Sequence, residues 1–277
     1  LKISSGGFGN KPILFMDGGM HAREWVSQAT LMYLIHRMVE DPVARTELLQ
    51  NVDWIIIPNL NPDGYDWAFT QDRMWRKNRN LVNETCVGID LNRNFRYSWR
   101  APVSFSVSFK KFHQYFSTKF FFQCRLSTFG GSQPLSEVES SSMNNYLTRY
   151  RANVRMYISV HSFGDMVLYP WGYSGSPGWI SSWERHLQVG TLWADAIRQQ
   201  TGKNYVVGNV ADILGNAFGA SDDHMAGEQQ VDLVYTLELT GGGRTGFDFP
   251  ESQIDFLVRE TFWGYRALGL YVGTLRV

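Results

Sequence analysis

Three stretches of this sequence carry side chains that hold metals or move protons. In DGGMHAREWVSQA, residues 17–29, His21 and Glu24 stand three positions apart. They can share one side of a helical turn, and imidazole nitrogen with carboxylate oxygen suits zinc. Capping turns use the same residue types, so the spacing alone is weak evidence. The rest of the chain strengthens it. VRMYISVHSFGD carries His161 just past an apolar run, a natural place for a third ligand in a zinc site that leaves a fourth position for water. VDLVYTLELTGGG sets Glu238 near the end of another apolar run, where water is scarce and a general base is needed. An exposed edge-strand glutamate is the alternative there, disfavoured by Leu237, Leu239 and the glycines that follow. Asp90 in GIDLNRNF could accept from a ligand imidazole and fix its tautomer, or could be a turn residue only. Arginines in MWRKNR and NRNF could clamp a carboxylate through paired hydrogen bonds, or could be solvated surface charges.

Those residues need a scaffold that gathers strand ends. KPILFMDGG reads as a short buried strand closed by glycines, and REWVSQATLMYLIHRMVED follows with helical apolar spacing. His21 therefore falls at a strand-to-helix junction. VDWIIIPNLNPDG is a second strand ending in a turn, VRMYISVHSFGD a third entered from a helix over residues 136–151, and VDLVYTLELTGGG a fourth. PESQIDFLVRETFWGYRALGLYV closes the chain as an amphipathic helix. At 277 residues the alternation predicts one α/β domain: a twisted, mixed, mostly parallel sheet with helices on both faces. In such sheets ligands gather at strand ends. Residues 101–122 break the pattern, holding seven of the 18 phenylalanines with no turn signal and no clear single period. They read either as an atypical surface insertion or as translated intron foreign to the mature protein.

Formal net charge is zero, with 26 basic and 26 acidic residues, which speaks against nucleic acid or an anionic membrane as partner. No run approaches the ~18 apolar residues of a membrane span. Cys86 and Cys124 are the two cysteines, and Asn83–Thr85 forms an N-glycosylation acceptor pattern. Buried thiols and a chance sequon are the separate alternatives; together the features favour an oxidising, secretory setting.

The ordered blocks HAREW, NPDGY, WRKNR, DLNRNF, SVHSFGD, LYPWGY, GASDD, YTLEL and GFDFPESQI make the chain resemble the zinc metallocarboxypeptidases of the digestive A/B type, over nearly all its length except residues 101–122. The resemblance implies an exopeptidase with one zinc ion per chain, held by His21, Glu24 and His161, with Glu238 activating water and Arg76 offsetting the oxyanion. It implies that Asn92 and Arg93 grip the terminal carboxylate, with Arg23 an auxiliary substrate contact. Asp222 aligns with the aspartate on the pocket floor of the branch that removes Lys or Arg, and Cys86 and Cys124 fall where the family has a disulfide. The implied partners are peptides or proteins with a free C-terminus, and the implied form is a secreted, extracellular monomer.

Three departures qualify the resemblance. Gly215 stands where the family has a mobile capping tyrosine, and Phe163 replaces a tyrosine that follows the third ligand. Both substitutions imply reduced activity, the limiting case being a relative that binds peptides without turnover. The family's catalytic domain also starts upstream of the point where Leu1 aligns, so the chain is expected to lack N-terminal edge strands, a pro-segment and a signal peptide.

Overall fold

The computed structural model describes residues 1–100 and 124–277; the phenylalanine-rich stretch at 101–122 lies outside them. The strands are β1 (Lys2–Ile3), β2 (Ile13–Gly18), β3 (Asp53–Ile57), β4 (Leu81–Asn83), β5 (Cys86–Val87), β6 (Val154–Ser162), β7 (Met166–Tyr169), β8 (Val206–Asn209) and β9 (Leu233–Leu239). Seven of them form one sheet in the order β1-β3-β2-β6-β9-β7-β8, and β4 pairs with β5 as a separate hairpin. The four apolar runs of the sequence occupy its middle: β3, β2, β6 and β9 are mutually parallel. β1 and β7 run antiparallel to the neighbours that link them to this block, so the sheet is mixed and mostly parallel, as expected.

Helices α1 (Trp25–Glu40), α2 (Pro42–Leu49), α3 (Pro62–Thr70), α4 (Val138–Thr148), α5 (Trp183–Thr201), α6 (Val210–Leu214), α7 (Ser221–Gly227) and α8 (Glu251–Val272) surround the sheet. One face is apolar throughout. Met16, Ile158, Val160, Tyr235 and Leu237 meet Leu31 and Leu34 of α1, Trp193 of α5, and Tyr265 and Leu268 of α8. Each of these side chains is essentially withdrawn from water, which stabilises the fold by about 1.5–3 kcal/mol apiece. α5 and α8 approach closely because Gly264 has no side chain where the Trp193 ring lies.

The other face changes character along its strands. Side chains two apart share a face, and the register aligns Phe15 with Tyr157 and Tyr157 with Val234 as an apolar rung under Met143 and Leu147 of α4. One rung further along, Asp17, Ser159 and Thr236 align, and next comes His161 beside Glu238. The polar groups thus collect at the C-terminal ends of the parallel strands.

Cys86 and Cys124 are disulfide-bonded, with Cα atoms 5.7 Å apart. At the β4–β5 hairpin Asn83 is exposed, its Oδ1 accepting from the amide and hydroxyl of Thr85. Among the described residues no helix is long and apolar enough to cross a membrane.

Candidate active site

The turn after β2 delivers the first two site residues. Gly19 takes φ +66°, a conformation that suits glycine, and its N–H donates to Ser27 Oγ. Asn61 holds the turn from the side, donating to the Met20 carbonyl. His21 and Glu24 then fall on one turn, closed by the Glu24 amide donating to the His21 carbonyl. The parallel neighbour β6 brings His161 alongside.

Three side chains converge there. The Nδ1 atoms of His21 and His161 are 3.0 Å apart, Glu24 Oε1 is 2.8 Å from the first and Oε2 is 2.9 Å from the second. All three residues are buried. The outer ring nitrogens are already engaged: His21 Nε2 lies 3.1 Å from Asp90 Oδ1, and His161 Nε2 lies 2.9 Å from Ser159 Oγ. Two imidazole nitrogens aimed at one point with a carboxylate beside them form an N, N, O set that fits zinc. Without a cation, burial works against charge at Glu24, yet the two histidines hold its carboxyl far below the usual range. Burial likewise opposes a charged His161, but Glu24 outweighs it and raises the imidazole to about 9.

Asp90 organises the second flank. It is fully buried, and its Oδ1 also accepts from the Asn92 amide, capping the short 3-10 turn Leu91–Arg93. Its Oδ2 receives Arg76 Nε at 3.1 Å and Nη2 at 3.0 Å. Burial disfavours the Asp90 carboxylate, but Arg76 and His21 reverse this and hold it well below the ordinary range. Arg76 Nη1 remains 3.7 Å from Glu24 Oε1.

A cavity of about 230 Å³ opens beside this cluster, lined by His21, Arg76, Asn92, Arg93, Asp222 and Glu238 among others. Burial first, then the charge of Glu24, pushes the Glu238 carboxyl up to about 8 in the metal-free protein. Arg93 makes no ion pair among the described residues; its Nη1 donates to the Asn92 carbonyl. Asn92 is fixed by accepting the Ser221 amide at 2.8 Å. Asp222 is buried and accepts from Thr236 Oγ1 and the Asp223 amide. The cavity can therefore present a fixed cation to an anionic group, a carboxylate to a cationic one, and a carboxyl group beside the metal-binding atoms.

The sequence model for "Zinc carboxypeptidase" matches residues 1–264. The chain belongs to the zinc carboxypeptidase family. It is 34% identical over 274 residues to a carboxypeptidase B from Astacus astacus, covering 98% of this chain and 84% of that one. It is 38% identical over 276 residues to a carboxypeptidase B from Helicoverpa zea, where the shares are 95% and 60%. The chain thus spans well under two thirds of the second relative's length. Among solved structures, a carboxypeptidase A from Helicoverpa armigera is similar at TM-score 0.80 and 31% identity, covering 98% of this chain and 63% of that one. Bovine thrombin-activatable fibrinolysis inhibitor, in complex with a tick carboxypeptidase inhibitor, is similar at TM-score 0.83 and 30% identity, covering 98% and 84%.

In this member of the family the sequence-derived residues do not all share one cavity. His21, Arg76, Asn92, Arg93, Asp222 and Glu238 do, with Glu24, His161 and Asp90 directly behind them. Arg23 lines an adjoining hollow of about 320 Å³ that shares Arg76, with its guanidinium 4.1 Å from the Phe247 ring centre. Phe163 packs edge-on against the same Phe247 at 5.0 Å and is 44% exposed. Gly215 lies on the cavity rim at φ +84°, with open space where a side chain would stand. Sequence reasoning passed over Thr236, Asp17 and Ser159. The last two were legible: an aspartate inside ILFMDG and a serine two before His161 are polar residues on buried strands, which demand partners.

Proposed function

We propose that this chain is the catalytic unit of a zinc-dependent carboxypeptidase that removes the last residue of peptides and proteins, with one zinc per chain and a preference for basic end residues. The observation that carries this reading is the cavity that His21 lines together with Glu238 and Arg93, with the Glu24 and His161 atoms converging on His21 from behind it, while Arg93 makes no ion pair among the described residues.

When bound, zinc supplies a Lewis acid that polarises the scissile carbonyl and acidifies water. His21, Glu24 and His161 would hold the ion. Glu238 Oε takes the proton of the attacking water and passes it to the leaving amine. Arg76, oriented by Asp90, offsets the negative charge that develops on the carbonyl oxygen. Arg93 and Asn92 receive the terminal carboxylate, which only a chain end supplies. Asp222 faces the end residue's side chain, and its buried carboxylate favours a cation and rejects apolar groups. Arg23 and Phe163 border the route taken by the preceding residues.

Peptides ending in free Arg or Lys should be trimmed by one residue, and the same peptides with amidated ends should resist. Trimming of amidated peptides at an equal rate would refute the Arg93 assignment. In Asp222→Ser, kcat/KM for Arg-ended peptides should fall by about 10–100-fold, which corresponds to the loss of a charge-assisted contact. Peptides ending in Leu should lose nothing or improve. An unchanged ratio between the two peptides would refute the basic preference. The Cys86–Cys124 bond and the exposed Asn83 acceptor support secretion into an oxidising space.

A further inference from the structure

Asp17 is a carboxylate with no role in the chemistry above, yet it is wholly buried in the middle of the sheet. Its Oδ2 accepts from Tyr157 Oη at 2.5 Å and its Oδ1 accepts from Ser159 Oγ at 3.0 Å. Ser159 Oγ in turn lies 2.9 Å from His161 Nε2. The strand register accounts for the chain of contacts: Asp17 on β2 is the cross-strand partner of Ser159 on β6, and Ser159 and His161 are two apart on one face.

We propose that Asp17, acting through Ser159, is the positioning residue that fixes the His161 tautomer for metal binding. This rests on the zinc reading of the cluster. An ionised carboxylate only accepts, so the single Ser159 proton goes to Asp17 Oδ1. The hydroxyl oxygen is then left as an acceptor, and the group opposite it must donate. With a metal bound, His161 would therefore carry its proton on Nε2 and turn the Nδ1 lone pair to the point that Nδ1 shares with Glu24 and His21. His21 reaches the same state by a shorter route, donating Nε2–H directly to Asp90. The two histidines are thus keyed alike by two carboxylates, one in direct contact and one across a hydroxyl. Burial opposes charge at Asp17, and the two hydroxyl donors Tyr157 and Ser159 favour the carboxylate.

Asp17→Asn keeps the shape and reverses the polarity. The carboxamide N–H₂ can donate to Ser159 Oγ, which turns the serine proton toward His161 Nε2 and sets a donor against a donor. The test measures zinc affinity by chelator competition, together with the exchange rate of the His161 Nε2 proton in the zinc-loaded protein by NMR. Asp17→Asn and Ser159→Ala should each weaken zinc by about 10–100-fold, the range for groups that support a ligand, and should speed exchange of that proton. Ser159→Thr restores the hydroxyl and should recover both values. Should Asp17→Asn fail to fold, Ser159→Ala with its threonine rescue decides. Unchanged affinity and exchange in folded variants would overturn the relay while leaving the zinc reading intact; a wild-type chain that binds no zinc would overturn the zinc reading itself.

Discussion

Glu238→Gln is expected to reduce kcat by about 10²–10⁴-fold, the range for losing a positioned general acid–base group, while zinc stays bound at the wild-type level. Glutamine preserves the length and packing of a half-buried side chain near the end of β9, and His161 remains its cross-strand neighbour. What disappears is the group that accepts a proton from water and delivers it to the amine. KM should move little, because the groups assigned to hold the substrate, Arg93, Asn92 and Asp222, are untouched. Steady-state kinetics paired with metal analysis checks this. A variant with near-normal kcat and bound zinc would mean that the base lies elsewhere.

Removing the metal should have the second large effect, read as stability as well as activity. Zinc at a thousandfold excess over its Kd should stabilise the fold by about 4 kcal/mol relative to chelated protein, and Glu24→Ala should erase the difference. The gain should also grow with pH. Without metal, Glu238 titrates at about 8 when folded against 4.5 ordinarily, and His161 at about 9 against 6.5. The folded metal-free protein thus retains protons that the unfolded chain has released, so its stability is fullest below the ordinary values and falls as pH rises through the folded ones. Zinc binding to deprotonated ligands improves over the same range. Calorimetric unfolding of loaded and chelated protein from about pH 6 to about pH 9 should show the two melting temperatures diverging. A constant gap would show that protons and metal do not compete at this site.

The fold was largely legible because four apolar runs, each ended by turn residues, left few arrangements other than a parallel sheet covered on both sides. The short strands β7 and β8 carried too little periodicity to be placed, and β7 reverses direction against β9. Of the site, the side chains that converge, His21, Glu24 and His161, were suggested by residue type and by position near strand ends. The supporting relay was not, because its decisive contact joins Asp17 and Ser159, 142 positions apart, and cross-strand register is invisible in one sequence. The resemblance implies Arg23 as an auxiliary substrate contact, and its guanidinium lies over Phe247, 224 positions further along the chain. A side chain's direction depends on partners that its own segment does not encode.

His161 and Glu238 occupy one rung of the sheet, whereas the rim residues Leu214, Gly215, Asn216 and Ala217 sit on and after the short helix α6. This separation gives the two halves of the site unequal freedom to diverge. Inserting a residue into β6 or β9 would turn the following side chains to the opposite face and dismantle the reaction centre at a stroke. The rim can change length and composition without altering the spacing of the reacting groups. An architecture of this kind can therefore vary what its rim touches while the side chains on its strands keep their spacing.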